Sequence, residues 1–259
     1  MQVELQTVGD VVRRVHFVIL EIERGFGFEE VVAAIGSEGV VRVDPTIHEK
    51  QKTEQINVED VAFLERICRN KQAGRQVFLL VGTEKMGEVA QNKFLKLLEE
   101  PAENVGFVFL TEDSGNLLET VKSRAQIFRV TRISDKESEE LLSEVDAVKK
   151  RQIWFLAAGL PGEIKKLAED GDYFDERKKL IDVAKVLING SDYDKMKVIQ
   201  TLKDDRERAV EVVELAIQIM KATTEKDGSV KKLGELNAAH EMLAGNIGVR
   251  LALVGCVGC

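Results

Sequence analysis

The amino-acid sequence predicts an α/β core on a parallel sheet, a small helical unit, and an all-helical C-terminal part. Two observations point there. In residues 1–130, short β-branched and aromatic runs alternate with stretches of helical periodicity. Beyond residue 172 the runs stop, and apolar residues recur only at helical spacing.

The strand candidates are Phe17-Val-Ile-Leu20, Val40-Val-Arg-Val43, Val77-Phe-Leu-Leu-Val81, Phe107-Val-Phe-Leu110 and Ile127-Phe-Arg-Val130. Near-continuous apolar strands separated by helices imply a parallel sheet covered on both faces. Asn57 is a good N-cap for a helix carrying Glu59 and Asp60 in its first turn and Val61, Leu64 and Cys68 on one face. A second helix is expected over 86–100, stopped by Pro101. Ser134-Asp-Lys-Glu137 is a capping box opening a helix through Leu141 and Leu142. Leu160-Pro-Gly162 interrupts the chain before a helix through Ile164 and Leu167.

In the C-terminal part, Leu180, Val183, Ala184, Leu187 and Ile188 form one apolar face. Gly190 ends that helix and Ser191 caps the next. A long helix is expected over 204–226, with two more after Gly228-Ser229. The expected domains are 1–130, 131–172 and 173–259.

The net charge of −8 argues against strong autonomous binding to DNA or anionic membranes. No apolar stretch reaches the ~18–20 residues of a membrane span. Met1 is followed by polar and amphipathic sequence that does not read as a signal peptide, so a cytoplasmic location is expected. Cys256-Val-Gly-Cys259 has the C-x-x-C form but no second pair, and reads as a frayed, partly buried terminus. His16, His48 and His240 are scattered along the chain, which gives no metal or histidine site.

The first apolar run leads into a glycine-containing turn and then a helix, where a phosphate loop would lie. Such a loop needs G-x-x-x-x-G-K-[S/T], so that backbone N–H groups wrap the phosphates, the Lys reaches the outer ones and the hydroxyl holds magnesium. Here the first Gly position is Ile22, Gly25 lies within the turn and Gly27 is kept. Phe28 stands at the Lys position and Glu29 at the hydroxyl position, where it would set an anion before a phosphate. The run 77–81 should end in a magnesium-binding acidic pair, but Val81-Gly82 stands there. Glu84 comes too late to substitute and reads as a solvated residue after a core strand. Both halves of a nucleotide site are lost, so no magnesium nucleotide should be activated and no cofactor is expected.

Several stretches together resemble the delta-prime family of DNA polymerase III, a bacterial clamp-loader family on an AAA-type fold. They are Val43-Asp-Pro45, 51–68, 76–80, and the helix containing Ala90-Gln-Asn-Lys-Phe-Leu-Lys-Leu-Leu-Glu-Glu-Pro101. They continue with 107–111, Leu117-Leu-Glu-Thr-Val-Lys-Ser123-Arg124, Leu160-Pro-Gly162-Glu163 and 244–253. The likeness runs over nearly the whole chain and is weakest in residues 1–40.

The resemblance implies a degenerate AAA-type core, a helical lid, and a helical collar that assembles the ring. It implies a non-hydrolysing subunit that joins ATPase subunits and a delta subunit to load a sliding clamp on primer–template DNA. Arg124 sits at the family's Ser-Arg-Cys motif, with Ala125 for the Cys, and is expected as an arginine finger toward a neighbour's ATP, with Ser123 supporting it. An Arg suits that task because it stays charged and presents a rigid fork to phosphate oxygens. By itself, an Arg at a helix end is ordinarily a surface residue near the last carbonyls.

Thr111 falls at the family's sensor position, which without a nucleotide reads as a strand-end hydroxyl, and Glu163 replaces a basic lid residue. Ile35 to Val40 is too short, and lacks the cysteines, for the four-cysteine zinc module of related subunits, so no metal is expected. Two alternatives remain beside this reading: an active gamma- or tau-like ATPase, or a DNA-binding or scaffold protein on a retired ATPase fold.

Overall fold

The computed structural model describes residues 1–47, 53–68, 74–99, 104–223 and 229–256. His48, Glu100, Pro101, Gly228 and Cys259, named above, lie outside the described residues. The chain divides into two compact units, Met1–Ala168 and Glu169–Cys259.

The first unit is built on a six-stranded sheet in the order β1-β6-β2-β5-β4-β3. The strands are β1 (Gln2–Val3), β2 (Phe17–Glu21), β3 (Val40–Val43), β4 (Gln76–Val81), β5 (Val105–Thr111) and β6 (Gln126–Val130). Every neighbouring pair is parallel. The helices of this unit are α1 (Val8–Arg14), α2 (Phe28–Ile35), α3 (Val58–Cys68), α4 (Glu88–Glu99), α5 (Glu119–Lys122), α6 (Asp135–Leu141), α7 (Ala147–Ala157) and α8 (Pro161–Glu169).

Strand alternation splits the core in two. Phe17, Ile19, Phe78, Leu80, Phe107 and Phe109 face α3, α4 and α5, whose Leu64, Phe94 and Val121 join the same cluster. Phe94 lies 4.8 Å from Phe109 and 5.0 Å from Phe107, ring centre to ring centre. Val18, Leu20, Val77, Leu79, Val108 and Leu110 face the other way, onto Val8 and Val12 of α1 and Val31 and Ile35 of α2. A sheet covered on both faces explains why its strands read as unbroken apolar runs.

The expected caps are present. Asn57 Oδ1 accepts from the N–H groups of Glu59 and Asp60, and Asp60 accepts in return from the Asn57 N–H. Ser134 and Glu137 close a capping box on α6. The N-terminal β1 and α1 were not foreseen. β1 is only two residues long and pairs at the sheet edge beside β6, so its sequence carries too little period to be seen.

The second unit holds α9 (Gly171–Asn189), α10 (Asp192–Leu202), α11 (Arg206–Thr223), α12 (Ser229–Ala244) and α13 (Val249–Val254). Its interior contains Leu180, Ala184 and Leu187 of α9, Val212, Val213 and Ala216 of α11, Leu236 of α12, and Leu253 of α13. Arg206 donates to the carbonyls of Leu243 and Ile247, capping the end of α12. The Lys195 ammonium is buried and donates to the Cys256 carbonyl at 2.9 Å. Cys256 is therefore held inside, the buried part of the terminus expected to be frayed and partly buried, while 257–259 lie outside the described residues.

Candidate functional site

In an open parallel sheet, ligands bind beyond the carboxyl ends of the strands, where the strand order reverses. In this sheet that place lies past β2, whose chain continues to α2 and β3 on one side while β6 lies on the other. The turn from Ile22 to Phe28 occupies it.

This turn is filled by the protein itself. Ile22 and Phe26 are fully buried, and Phe28 and Leu160 pack on the same cluster. Gly25 and Gly27 take φ of 88° and 91°, the left-handed region that glycine reaches without strain. Their geometry turns the Gly25 and Phe26 carbonyls toward the first turn of α8. Glu163 N–H donates to Gly25 O at 2.9 Å, and Gly162 N–H donates to Phe26 O at 2.7 Å. A helix start always leaves N–H groups without intrahelical partners, and here the turn supplies them.

The two backbones meet glycine to glycine. A side-chain carbon on Gly162 would stand 2.7 Å from Phe26 O and 2.9 Å from Gly27 Cα. A Glu30–Lys165 ion pair at 2.8 Å reinforces the contact. Arg132 grips Glu23 through Nε and Nη2 and also donates to the Ala158 carbonyl. A phosphate loop offers N–H donors to an anion, whereas this turn commits two of its oxygens to a helix.

The substituted residues are engaged as well. Glu29 accepts both terminal nitrogens of Arg42, at 2.8 and 2.6 Å, while Arg42 Nε donates to Asp44 at 2.8 Å. The Arg42 hydrogen bond holds the Glu29 carboxyl below its ordinary range. Glu29 is thus drawn to β3, which corrects the expectation of an anion facing the phosphate position.

At the end of β4, Val81 is buried and Gly82 is left-handed with φ of 64°. A tight turn over Thr83–Lys85 brings Glu84 back, so that it accepts from Thr111 Oγ1 at 2.8 Å and from Glu112 N–H at 3.3 Å. Glu84 is therefore not simply solvated, as its position in the sequence suggested. The nearby Glu112 carboxyl is raised from its ordinary pKa by desolvation and by the charge of Glu84. Among the described residues no cluster of His, Cys, Asp and Glu is arranged to hold a metal ion.

Arg124 lies at the opposite end of the α4–α5 face. Its Nη1 donates to the Thr120 carbonyl at 2.9 Å, and its Nη2 faces Glu99 Oε1 at 3.3 Å. The side chain retains 40% of its exposure. Ser123 donates its hydroxyl to the same Thr120 carbonyl at 3.1 Å, so it caps the end of α5. The structure does not bring Arg124 together with the Gly25–Gly27 turn. They are separate features, one a filled site and the other an exposed cation.

Residues 38–134 match the family described as DNA polymerase III, delta subunit. A DNA polymerase III subunit delta' from Haemophilus influenzae is 34% identical over 83 residues, or 32% of this chain and 25% of the relative. One from Buchnera aphidicola is 29% identical over 135 residues, or 50% of this chain and 41% of the relative. The core of this chain is similar to that family and to these delta' subunits over part of its length. The matches span between a quarter and about two fifths of those relatives' length.

A DNA polymerase III gamma subunit-related protein from Thermotoga maritima shares the fold, with a TM-score of 0.52 at 16% identity over 97% of this chain and 96% of its own. The family match over residues 38–134 includes Ser123 and Arg124 and leaves out the Gly25–Gly27 turn.

Within the matched segment, Gln91 escaped the sequence reading. It is buried on α4, and its Nε2 donates to the carbonyls of Met86 and Asn116 while its Oε1 accepts from Leu118 N–H. One amide thus ties α4 to the segment leading into α5. The available signal was a polar residue at a core position, between Ala90 and Phe94 on the apolar face. Arg42 was also missed, because an Arg inside a short strand gives no hint of a partner 13 residues upstream.

Proposed function

We propose that this protein is a non-hydrolysing subunit of a bacterial clamp loader. It assembles with ATPase subunits and a delta subunit, helps to open the sliding clamp and places it on primer–template DNA. It is not an enzyme on its own and uses no cofactor. In this reading residues 1–130 are a degenerate AAA-type core, 131–172 a lid and 173–259 a collar that joins the ring, and the protein works in the cytoplasm.

One observation carries the reading. The turn that would hold phosphates is occupied by the first turn of α8, while Arg124 of the delta-prime segment keeps an exposed guanidinium. A chain with a filled site of its own can use a catalytic Arg only on a neighbour. The guanidinium would stabilise negative charge developing on the transferred phosphoryl group of that neighbour's ATP. Ser123 would hold the helix end from which it projects.

The test is steady-state ATP hydrolysis and clamp loading by the reconstituted complex. Arg124→Ala should leave assembly intact and lower clamp- and DNA-stimulated turnover. Fingers of this kind contribute ~10³–10⁵ in rate at the site they serve, and one site of several would be lost. Arg124→Lys should rescue only in part, since a point charge cannot reproduce the fork. Unchanged turnover and loading with Arg124→Ala would return this residue to an ordinary helix-end role.

A further inference from the structure

The contact between Arg124 and Glu99 joins two elements held in fixed relation. Glu99 ends α4 and Arg124 follows α5. Gln91 anchors the other end of α4 to Leu118, just ahead of α5. Phe94 of α4 and Val121 of α5 are packed in the same core cluster. The two charges therefore meet because the scaffold places them, not because two free side chains happen to touch.

The guanidinium is held from two sides. Its Nη1 is satisfied by Thr120 O of α5, the helix it follows, and this bond does not depend on any neighbouring subunit. Its Nη2 faces Glu99 at 3.3 Å, with the carboxylate 57% exposed. An exposed pair of this length is weak and easily exchanged. A phosphate can take two parallel N–H bonds from the fork and carries more charge than a carboxylate. A carboxylate left beside an Arg-bound phosphate would be a like charge at close range.

We infer that Glu99 is a positioning residue that holds Arg124 in a resting pose and competes with the neighbour's nucleotide for its fork. This rests on the arginine-finger reading and adds the residue that sets how readily the finger engages. Glu99 neutralises an exposed cation while the subunit is alone and must yield it when ATP is presented. It contributes to the ATP concentration at which the finger acts, not to the rate once it has engaged.

The experiment is ATP hydrolysis by the reconstituted complex as a function of ATP concentration, with wild type, Glu99→Gln, Arg124→Ala and the double variant. Glu99→Gln keeps the shape and removes the charge. The Arg124-dependent part of turnover should then half-saturate at about twofold to fivefold lower ATP, the range expected for loss of one exposed ion pair. Its maximal rate should stay within about twofold of wild type, on the same basis. In the Arg124→Ala background Glu99→Gln should change nothing, and in the isolated, otherwise wild-type subunit it should lower the melting temperature by no more than the small amount one exposed ion pair contributes.

A fall in maximal rate like that of Arg124→Ala would show that Glu99 braces the finger for catalysis, and would overturn the resting role. The same shift in both backgrounds, or no shift in wild type, would also overturn it. Unchanged turnover with Arg124→Ala alone would instead remove the finger reading on which this one stands.

Discussion

Gln91 shows how a polar side chain can be a core residue. It stands among apolar neighbours on α4 because each end of its amide has a backbone partner in the short segments that lead into α4 and α5. Removing one partner of a buried hydrogen bond costs about 1–3 kcal/mol. Gln91→Ala strands the Leu118 N–H and two carbonyls, and should destabilise by about 2–3 kcal/mol in urea unfolding. In the reconstituted complex it should also lower Arg124-dependent turnover, because α5 loses its tie to α4. Gln91→Ala with wild-type stability would show that water replaces the amide without loss.

Two carboxylates titrate with opposite sign. Glu29 is held below its ordinary range by Arg42, so its stabilising pair is complete above the unfolded carboxylate pKa and is lost as pH falls through the lower folded value. Glu112 is raised by desolvation and Glu84, so the folded state favours its proton. That preference supports stability at low pH and is lost as pH rises through the raised value. Glu112→Gln should therefore stabilise the protein slightly at pH 7, and the gain should shrink near pH 4. A larger gain at pH 4 than at pH 7, measured by urea unfolding, would contradict this assignment.

At the scale of elements, the docking of α8 on the Gly25–Gly27 turn decides what the site can be. It depends on Gly162, where a methyl group would press on backbone that cannot swing aside. Gly162→Ala should cost about 1–3 kcal/mol through forced displacement. Gly74→Ala has open space around it and should be nearly neutral. Equal effects of the two substitutions on the unfolding midpoint would mean that α8 lifts from the turn without penalty.

The sheet strands were legible because parallel strands buried on both faces leave unbroken apolar runs, and the caps at Asn57, Ser134 and Ser191 because a capping side chain acts within three residues. The Gly25–Gly27 turn announced its substitutions at Phe28 and Glu29. What filled it was not legible, because Gly162 and Glu163 lie more than 130 residues away and act through backbone atoms that no side-chain pattern records. The return of Glu84 to Thr111 was hidden for a similar reason: it needs the left-handed Gly82, and glycine in a sequence does not state its φ.

At the scale of the whole molecule, the isolated protein should not bind ATP. Titration with magnesium-ATP should give no saturable heat in the micromolar range, and a stoichiometric isotherm would overturn the filled-site reading. Residues 173–259 are expected to drive assembly in the proposed ring. Tyr193, Met196, Leu251 and Val254 remain exposed on α10 and α13, which leaves apolar surface for a partner. A chain ending at Asp172 should fail to copurify with the ATPase subunits, and full retention would place the main interface in the first unit.

The meeting of the Gly25 and Phe26 oxygens with the start of α8 also bears on what substitution could achieve. Placing a Lys at position 28 would take one substitution. In the proposed reading, making room for a phosphate would require α8 to leave, the buried Phe26 to move and the carbonyls to rotate. The triple variant Phe28→Lys, Glu29→Thr, Val81→Asp restores the side chains that nucleotide chemistry asks for, yet should remain blind to ATP. On this reading it is backbone docking, more than the side chains at 28, 29 and 81, that keeps the site shut.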